Sequence, residues 1–477
     1  MHRYLLLSLL SLLLLSACNK DEQYSLSKSD RLTFSLDTVR LDTVFAGMGS
    51  STKTFWVYNR GDRGLHLSSV RLVHGSSSGF RVNVDGSYLD NAHGSLVRDL
   101  ELRHGDSLRV FVEVTPDVSG QIEPQALADQ LVFTLESGTT QQVQLEAWGW
   151  DAVVMRDVTV GRDSVIDSPR PVVIYGGLRV DSGATLTLRH TTLYFHDRAG
   201  IDVYGRLLAE GSADVPVVLR GDRLDRMFDY LPYNNVSGQW RGVHFFGPST
   251  GNVMRHTQIV SACDAVVVDS AAVDSLMPRL TMQHCVVHNA RGAGVQAQNA
   301  NISLAYCQLT NTLGHCLAVM GGRADVEHCT LAQFYPFAAE RGAALYIANT
   351  YDRELPPDSL HPTATTVSVT SPLTYFFCRE SILTGYADDV LMGQAAEDTS
   401  VVFSYMFYHS LLRTPRVETA DSVAYVDVMW EAPGDSIQGK KHFRLVDEDN
   451  LVYDFRLDSL STAHGLGCYV DTLAAGQ

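Results

Sequence analysis

The sequence predicts an all-β protein, a right-handed parallel β-helix preceded by an immunoglobulin-like β-sandwich, on three observations. A 22-residue spacing recurs in the second half of the chain, at Cys285, Cys307 and Cys329. Short alternating runs separated by turn residues fill the region from about 30 to 150. No long stretch of helical period competes with the pattern in that region.

The repeat carries more than its cysteines. His284-Cys285-Val286-Val287, Tyr306-Cys307-Gln308-Leu309 and His328-Cys329-Thr330-Leu331 share one pattern, and His190-Thr191-Thr192-Leu193 and His256-Thr257-Gln258-Ile259 continue it with Thr. One coil of a solenoid takes about this many residues. Stacked coils place equivalent residues about 4.8 Å apart, the spacing of paired strands. Cys285, Cys307 and Cys329 are therefore expected to form an inward-facing structural stack, with Val287, Leu304, Leu309, Val326 and Leu331 lining the same core. Cys263 lies 22 residues before Cys285 but in another register of its coil, and is left out of the stack. The adjacent His and Cys invite a zinc reading. Neighbours on a strand or turn point different ways, however, and Cys suits a buried stack, so packing is preferred and no metal is assigned.

In the region 30–150, the strand-like runs are Leu32–Leu36, Thr54–Tyr58, Leu65–Leu72, Ser107–Val114, Gln130–Leu135 and Gln142–Ala147. Alternation in Leu108–Val114 suits an antiparallel sheet with one face on a core. About seven strands are expected. Trp148 and Trp150 close this unit, and the β-helix is expected to occupy 151–477.

The chain of 477 residues has a formal net charge of −17 and is 45% hydrophobic. Its length calls for at least two domains. An acidic balance argues against binding nucleic acid through phosphate neutralisation. It is compatible with neutral glycans, or with cation-assisted contacts to acidic ones. Eight cysteines without a CxxC pair argue against a dense disulfide framework.

Residues 1–18 have a short basic start, an apolar run from about Leu5 to Leu15, and the ending Leu15-Ser16-Ala17-Cys18. The run is too short to span a bilayer, which takes about 20 residues, and fits a secretion signal. The ending resembles a lipobox, which implies a lipoprotein signal peptide (1–18) and lipidation of Cys18. Lys20-Asp21-Glu22 resembles the surface-export signal of Bacteroidota lipoproteins. The expected partner is thus a membrane, through the lipid anchor. The expected location is the outer membrane, at the cell surface, with the periplasmic face as the alternative. Residues 19–29 read as a flexible tether.

Two further resemblances bear on the folded units. Phe55-Trp56-Val57-Tyr58-Asn59-Arg60-Gly61, Leu108–Thr115-Pro116 and Leu131-Val132-Phe133 resemble bacterial Ig-like modules of the abnormal-spindle/DUF1573 kind, which implies a spacer or platform. Tyr175–Leu188 and Gly238-Gln239-Trp240-Arg241-Gly242-Val243 resemble segments of bacterial β-helix proteins of the pectate-lyase-like fold. Asp454-Phe455-Arg456-Leu457 with Ser461-Thr462-Ala463 resembles their closing segment of the choice-of-anchor type, departing at Thr462, where Pro is usual.

That fold implies polysaccharide chemistry. A lyase of this kind needs acidic residues for Ca²⁺ and a base, and a hydrolase needs paired carboxylates. No such constellation stands out. Asp388-Asp389 reads as a loop, so no catalytic residue and no cofactor are assigned, with Ca²⁺ reserved for the lyase alternative. The candidate ligand-binding residues are Asp222, Asp225, Asp229, Tyr230, Tyr233 and Trp240, in an insertion between coils where rings could stack on sugars. The leading expectation is a non-catalytic carbohydrate-binding lipoprotein. The alternatives are a polysaccharide lyase or glycoside hydrolase using this insertion, and a structural component of envelope assembly.

Overall fold

A computed structural model describes residues 24–89, 92, 94–274, 276–355, 365–431, 434 and 439–470. Cys18 and the signal peptide lie outside the described residues, as does the first part of the tether. The chain divides into two compact units, 1–151 and 152–477.

The first unit is a β-sandwich of two five-stranded sheets. One sheet is ordered Thr33–Phe34, Lys53–Tyr58, Ser107–Val114, Phe80–Val84, Ser87–Tyr88. The other runs Thr38–Phe45, Thr140–Trp150, Gln125–Leu135, Leu65–Leu72, Leu96–Leu102. Alternating Val110, Val112 and Val114, with Phe55 beside Val110 on the same sheet, share a closed core with Leu67 and Phe133 of the other sheet. The antiparallel expectation fails at one place, because Thr38–Phe45 pairs parallel with Thr140–Trp150. This strand escapes a period-2 reading because Leu41 and Asp42 stand opposite the single residue Ala147. Asp42 adopts φ 55° there, and such a bulge breaks alternation. Trp150 stacks on Phe45 and donates Nε1–H to Ile122 O at 2.7 Å.

The second unit is a right-handed parallel β-helix, built on one 26-stranded sheet that coils so that each strand pairs with its equivalent in the next turn. Three columns of strands result. Column I includes Ile201–Val203, Val243–Phe245 and Val266–Val268. Column II includes Asn252–Arg255, Leu280–Gln283, Leu373–Arg379 and Phe403–Tyr408. Column III includes Val217–Gly221, Thr257–Val260, Val286–His288, Gln308–Thr310, Thr330–Gln333, Ile382–Gly385 and Leu411–Leu412. The long strands Val295–Ala305 and Leu317–Glu327 pass from column I into column II and pair in a 22-residue register. Elsewhere hairpins and loops inserted between coils stretch that spacing.

The repeated His/Tyr-then-Cys/Thr pattern is the geometry of one bend. Column II turns into column III through a single left-handed residue: His256 (φ 42°), His284 (52°), Tyr306 (55°), His328 (46°), Glu380 (52°) and His409 (40°). His is enriched among side chains tolerated there. The bend throws that side chain outward and the next one inward. At these six bends the inward residue is small and carries a donor, which it gives to the carbonyl two positions back, whereas at the equivalent bend of His190 (φ 41°) the Thr191 hydroxyl is buried without a partner. Thr257 donates to Arg255 O at 3.0 Å, Cys285 to Gln283 O at 3.4 Å, Cys307 to Ala305 O at 3.3 Å and Cys329 to Glu327 O at 3.3 Å. Ser381 and Ser410 do the same to Arg379 O and Tyr408 O, at 2.8 and 2.9 Å. Each of these carbonyls already accepts a backbone N–H across the coil, so Cys, Thr and Ser share one role, placing a small buried side chain whose own donor is satisfied by a second bond to that carbonyl.

All seven described cysteines are free, and six are buried. Burial raises the Cys316, Cys378 and Cys468 thiols to about 12, and lifts Cys285 and Cys307 as well. Because the thiolate is the reactive form, native protein treated with iodoacetamide at pH 8 is expected to label slowly, at Cys263 before any other described cysteine. Unfolding in guanidinium should expose all seven. Mass mapping of the adducts checks this, and fast native labelling of Cys307 would contradict a closed core.

Candidate functional site

The outward side of column III carries two adjoining cavities, of about 620 and 310 Å³. They share Val286, Gln308 and Tyr469 and so make one groove. Strand alternation builds its floor. In successive coils Gln258, Val286 and Gln308 are in register, as are Val260, His288 and Thr310.

One side of the groove is the bend. Because coils stack in register, the outward rings stack as well. Centroids are 4.8 Å apart for His256 and His284, 4.9 Å for His284 and Tyr306, and 4.9 Å for Tyr306 and His328, all within 12° of parallel. Burial, and secondarily the neighbouring His256, lowers the pKa of His284. The opposite side comes from Pro232, Asn234 and Asn235 of the insertion and from Leu451–Arg456 at the turn and second strand of the antiparallel hairpin Phe443–Asp447/Val452–Leu457. The insertion is tied down where column III ends. Ser261 and Asn289, both left-handed, bind Asn234 O through their side chains.

Hydrogen bonds organise the groove's polar groups. Tyr469 OH donates to Gln308 Oε1 at 2.8 Å, and Gln308 Nε2 donates to Thr310 Oγ1 at 2.9 Å. Thr310 Oγ1 lies 2.8 Å from His288 Nδ1. Burial pushes the His288 imidazole down to about 4, although part of the residue reaches the groove. Tyr453 and Tyr469 are raised by burial, Tyr453 also by Glu448 and Tyr469 also by Cys468. The Tyr453 hydroxyl is buried and has no hydrogen-bond partner. Asp454 is gripped by Arg456, with contacts of 2.8 and 2.5 Å, and this hydrogen bonding lowers its pKa.

None of the six ligand-binding residues read from the insertion lines this groove. Trp240 is a correction: it is completely buried, stacks on Phe195 at 4.4 Å, and donates Nε1–H to Val260 O at 2.9 Å. Asp225 is a second correction, buried in a two-point ion pair with Arg223 at 2.8 and 2.7 Å. Tyr233 lies under the Arg223 guanidinium at 3.9 Å, and Asp222 meets His196 Nδ1 at 2.6 Å. Asp229 accepts from Arg226 through its backbone carbonyl. Tyr230 is exposed and stacks on Phe228. The insertion does contribute to the groove, but through its prolyl and asparagine residues. Asp388 and Asp389 are also engaged, by Arg413 at 2.9 Å and Thr414 at 2.7 Å.

Among the described residues, Glu327, His328 and Glu380 form one grouping with metal-like spacing. Its atoms already serve one another. His328 Nε2 pairs with Glu380 at 2.6 Å and Glu327 with Arg379 at 2.8 Å. This reads as an ion-pair network on the bend.

No protein-family model matches the chain, and no curated protein matches it. Solved structures align at low identity. The A-module of the Azotobacter vinelandii mannuronan C-5 epimerase AlgE6 is 10% identical, with a TM-score of 0.29, over 60% of this chain and 91% of that one. The ASH/PapD-like domain 7 of human CEP192 is 14% identical, with a TM-score of 0.18, over 28% of this chain and 93% of that one. A family 123 glycoside hydrolase from Clostridium perfringens is 10% identical, with a TM-score of 0.18, over 27% of this chain and 26% of its own. The architecture described above rests on the chain's own strand registers.

Proposed function

We propose that this chain is a lipid-anchored outer-membrane protein, displayed at the cell surface, whose β-helix holds carbohydrate in the column III groove without turning it over. The groove is the observation that carries this reading. It is long, open at the surface, and lined by aromatic rings, amides and hydroxyls, the groups that meet sugar faces and hydroxyls. Absence of hydrolysis is supported by the lining, which among the described residues has one carboxylate, Asp454, already engaged by Arg456, since hydrolysis of a glycoside takes two. The anchor is supported by the Leu15–Cys18 ending and Lys20-Asp21-Glu22. The sandwich, following the tether in the chain, serves as spacer.

Affinity electrophoresis of the detergent-solubilised full chain through gels cast with polysaccharides, with and without Ca²⁺, tests the reading. Retardation without a cleared zone is expected, and His288→Ala should reduce it several-fold, as losing a hydrogen bond of about 1 kcal/mol would. A cleared zone would make the protein an enzyme. Retention unaffected by substitutions in the groove would place binding elsewhere.

A further inference from the structure

We infer that the groove takes an uncharged glycan, read by a directional chain of neutral hydrogen bonds from Tyr469 through Gln308 and Thr310 to His288, and that it discriminates against polyuronates. The inference rests on the carbohydrate reading above and narrows it to a ligand class.

Direction follows from which atoms can donate. Tyr469 OH gives its proton to Gln308 Oε1, and Gln308 Nε2–H gives one to Thr310 Oγ1. His288 Nδ1 lies 2.8 Å from Thr310 Oγ1, a contact that either tautomer satisfies, and we assign the one in which the Thr310 hydroxyl donates. That leaves the imidazole proton on Nε2. The chain therefore ends in a donor at His288 and in acceptor lone pairs at Tyr469. Both ends are uncharged, because burial keeps the imidazole neutral down to about pH 4 and the phenol protonated well above neutrality. A sugar hydroxyl both donates and accepts, so it can complete either end.

Among the described lining residues, the only permanently charged cation is Arg456, beside the imidazoles of His256, His284 and His288. The charged side chains lining the two cavities are Asp454 and Arg456, and they neutralise each other through contacts of 2.5–3.1 Å. A uronate entering here would shed water without gaining a counter-charge, which is unfavourable. It would also approach a chain of net charge −17. The floor residues repeat along the coil at strand spacing, about 4.8 Å, an advance comparable to one pyranose of an extended glycan. This favours a linear polymer lying along the axis.

The test is calorimetric titration of the full chain in detergent with soluble β-glucan, galactomannan and arabinoxylan as neutral probes, and polygalacturonate and alginate as charged ones. At least one neutral probe is expected to bind at least about tenfold more tightly than either polyuronate. Raising NaCl from about 0.05 to 0.5 M, which screens charge pairs, should change its affinity by less than about twofold. Tyr469→Phe, which deletes the first donor, should weaken it about fivefold, the loss of one neutral hydrogen bond. Circular dichroism of the variant checks its fold. A polyuronate that binds more tightly, weakens with salt and responds to Tyr469→Phe would overturn the inference and leave the groove reading standing. Binding of neither class, or binding indifferent to Tyr469→Phe and His288→Ala, would remove the groove reading and this inference with it.

Discussion

Arg413→Met is expected to cost about 3–5 kcal/mol, the penalty for stranding a buried charge. Arg413 is completely inaccessible, and its Nε donates to Ala387 O at 2.7 Å while Nη2 reaches Asp388 at 2.9 Å. Its Nη1 lies 3.4 Å from Glu431 Oε1, whose side chain is 2% exposed. Glu431 also faces His442 at 3.5 Å and Lys441 at 3.7 Å, and accepts from Thr384 at 3.0 Å. Burial alone would raise its pKa. The His442 and Thr384 contacts and the Arg413 charge outweigh burial and hold it below the usual carboxylate value. A carboxylate depressed in the folded state adds stability that is complete above its unfolded pKa and is lost as pH falls through the folded one. The acid limb of the stability profile should therefore contain Glu431, and Glu431→Gln should flatten it. Urea melts followed by hydrogen exchange check both, since coils of a solenoid need not unfold together. Replacing Arg413 and Glu431 together with apolar residues should recover much of the loss. Arg413→Met melting like the parent would mean that this cluster carries no net weight.

The architecture was legible where one residue type recurs for one geometric reason. The bend demands a left-handed residue followed by a small donor, so His284-Cys285, Tyr306-Cys307 and His328-Cys329 announce it. Glu380-Ser381 and His409-Ser410 occupy the same bend, but inserted segments displace them from the 22-residue spacing and Glu and Ser disguise the pattern. Among the insertions is the hairpin Thr350–Leu355/Thr365–Thr370. The groove was much less legible. His288 and Thr310 stand three residues after Cys285 and Cys307, a spacing visible in the sequence. Their partners Tyr469 and Tyr453 are far along the chain, and only the fold brings them together. Asp454-Phe455-Arg456 was visible as a closing segment without any sign that it borders a groove. The insertion drew attention through its acids and rings, yet intramolecular pairs engage Asp222, Asp225 and Tyr233. A cluster of Arg, Asp and Tyr looks the same in sequence whether it faces a ligand or itself.

Trp240→Ala should be about as damaging as loss of Arg413, for a different reason. Removing a fully buried aromatic costs about 3–5 kcal/mol, through lost transfer energy and the cavity left behind. Trp240 lies face to face with Phe195, at 8° between planes, and satisfies Val260 O. It also marks where the insertion rejoins the coil: it pairs with Ala262, and its carbonyl accepts from Cys263 N at 2.7 Å. Loosening it should let Asn234 and Asn235 drift from the groove edge, so affinity falls together with stability. Trp240→Phe keeps most of the packing and loses one donor, and should cost about 1–3 kcal/mol, the price of an unpaired buried carbonyl. Tyr230→Ala, at an exposed ring, should change neither stability nor affinity measurably. Chemical denaturation and titration with the same glycan, run on all three variants, separate the two uses of an aromatic ring. If Trp240→Ala melted like the parent but no longer bound glycan, the indole would be a sugar platform and its place in the core would be wrong. Loss of stability with Trp240→Ala, beside an unchanged Tyr230→Ala, would mean that the insertion's aromatic residues hold the coil and frame the groove without touching what lies in it.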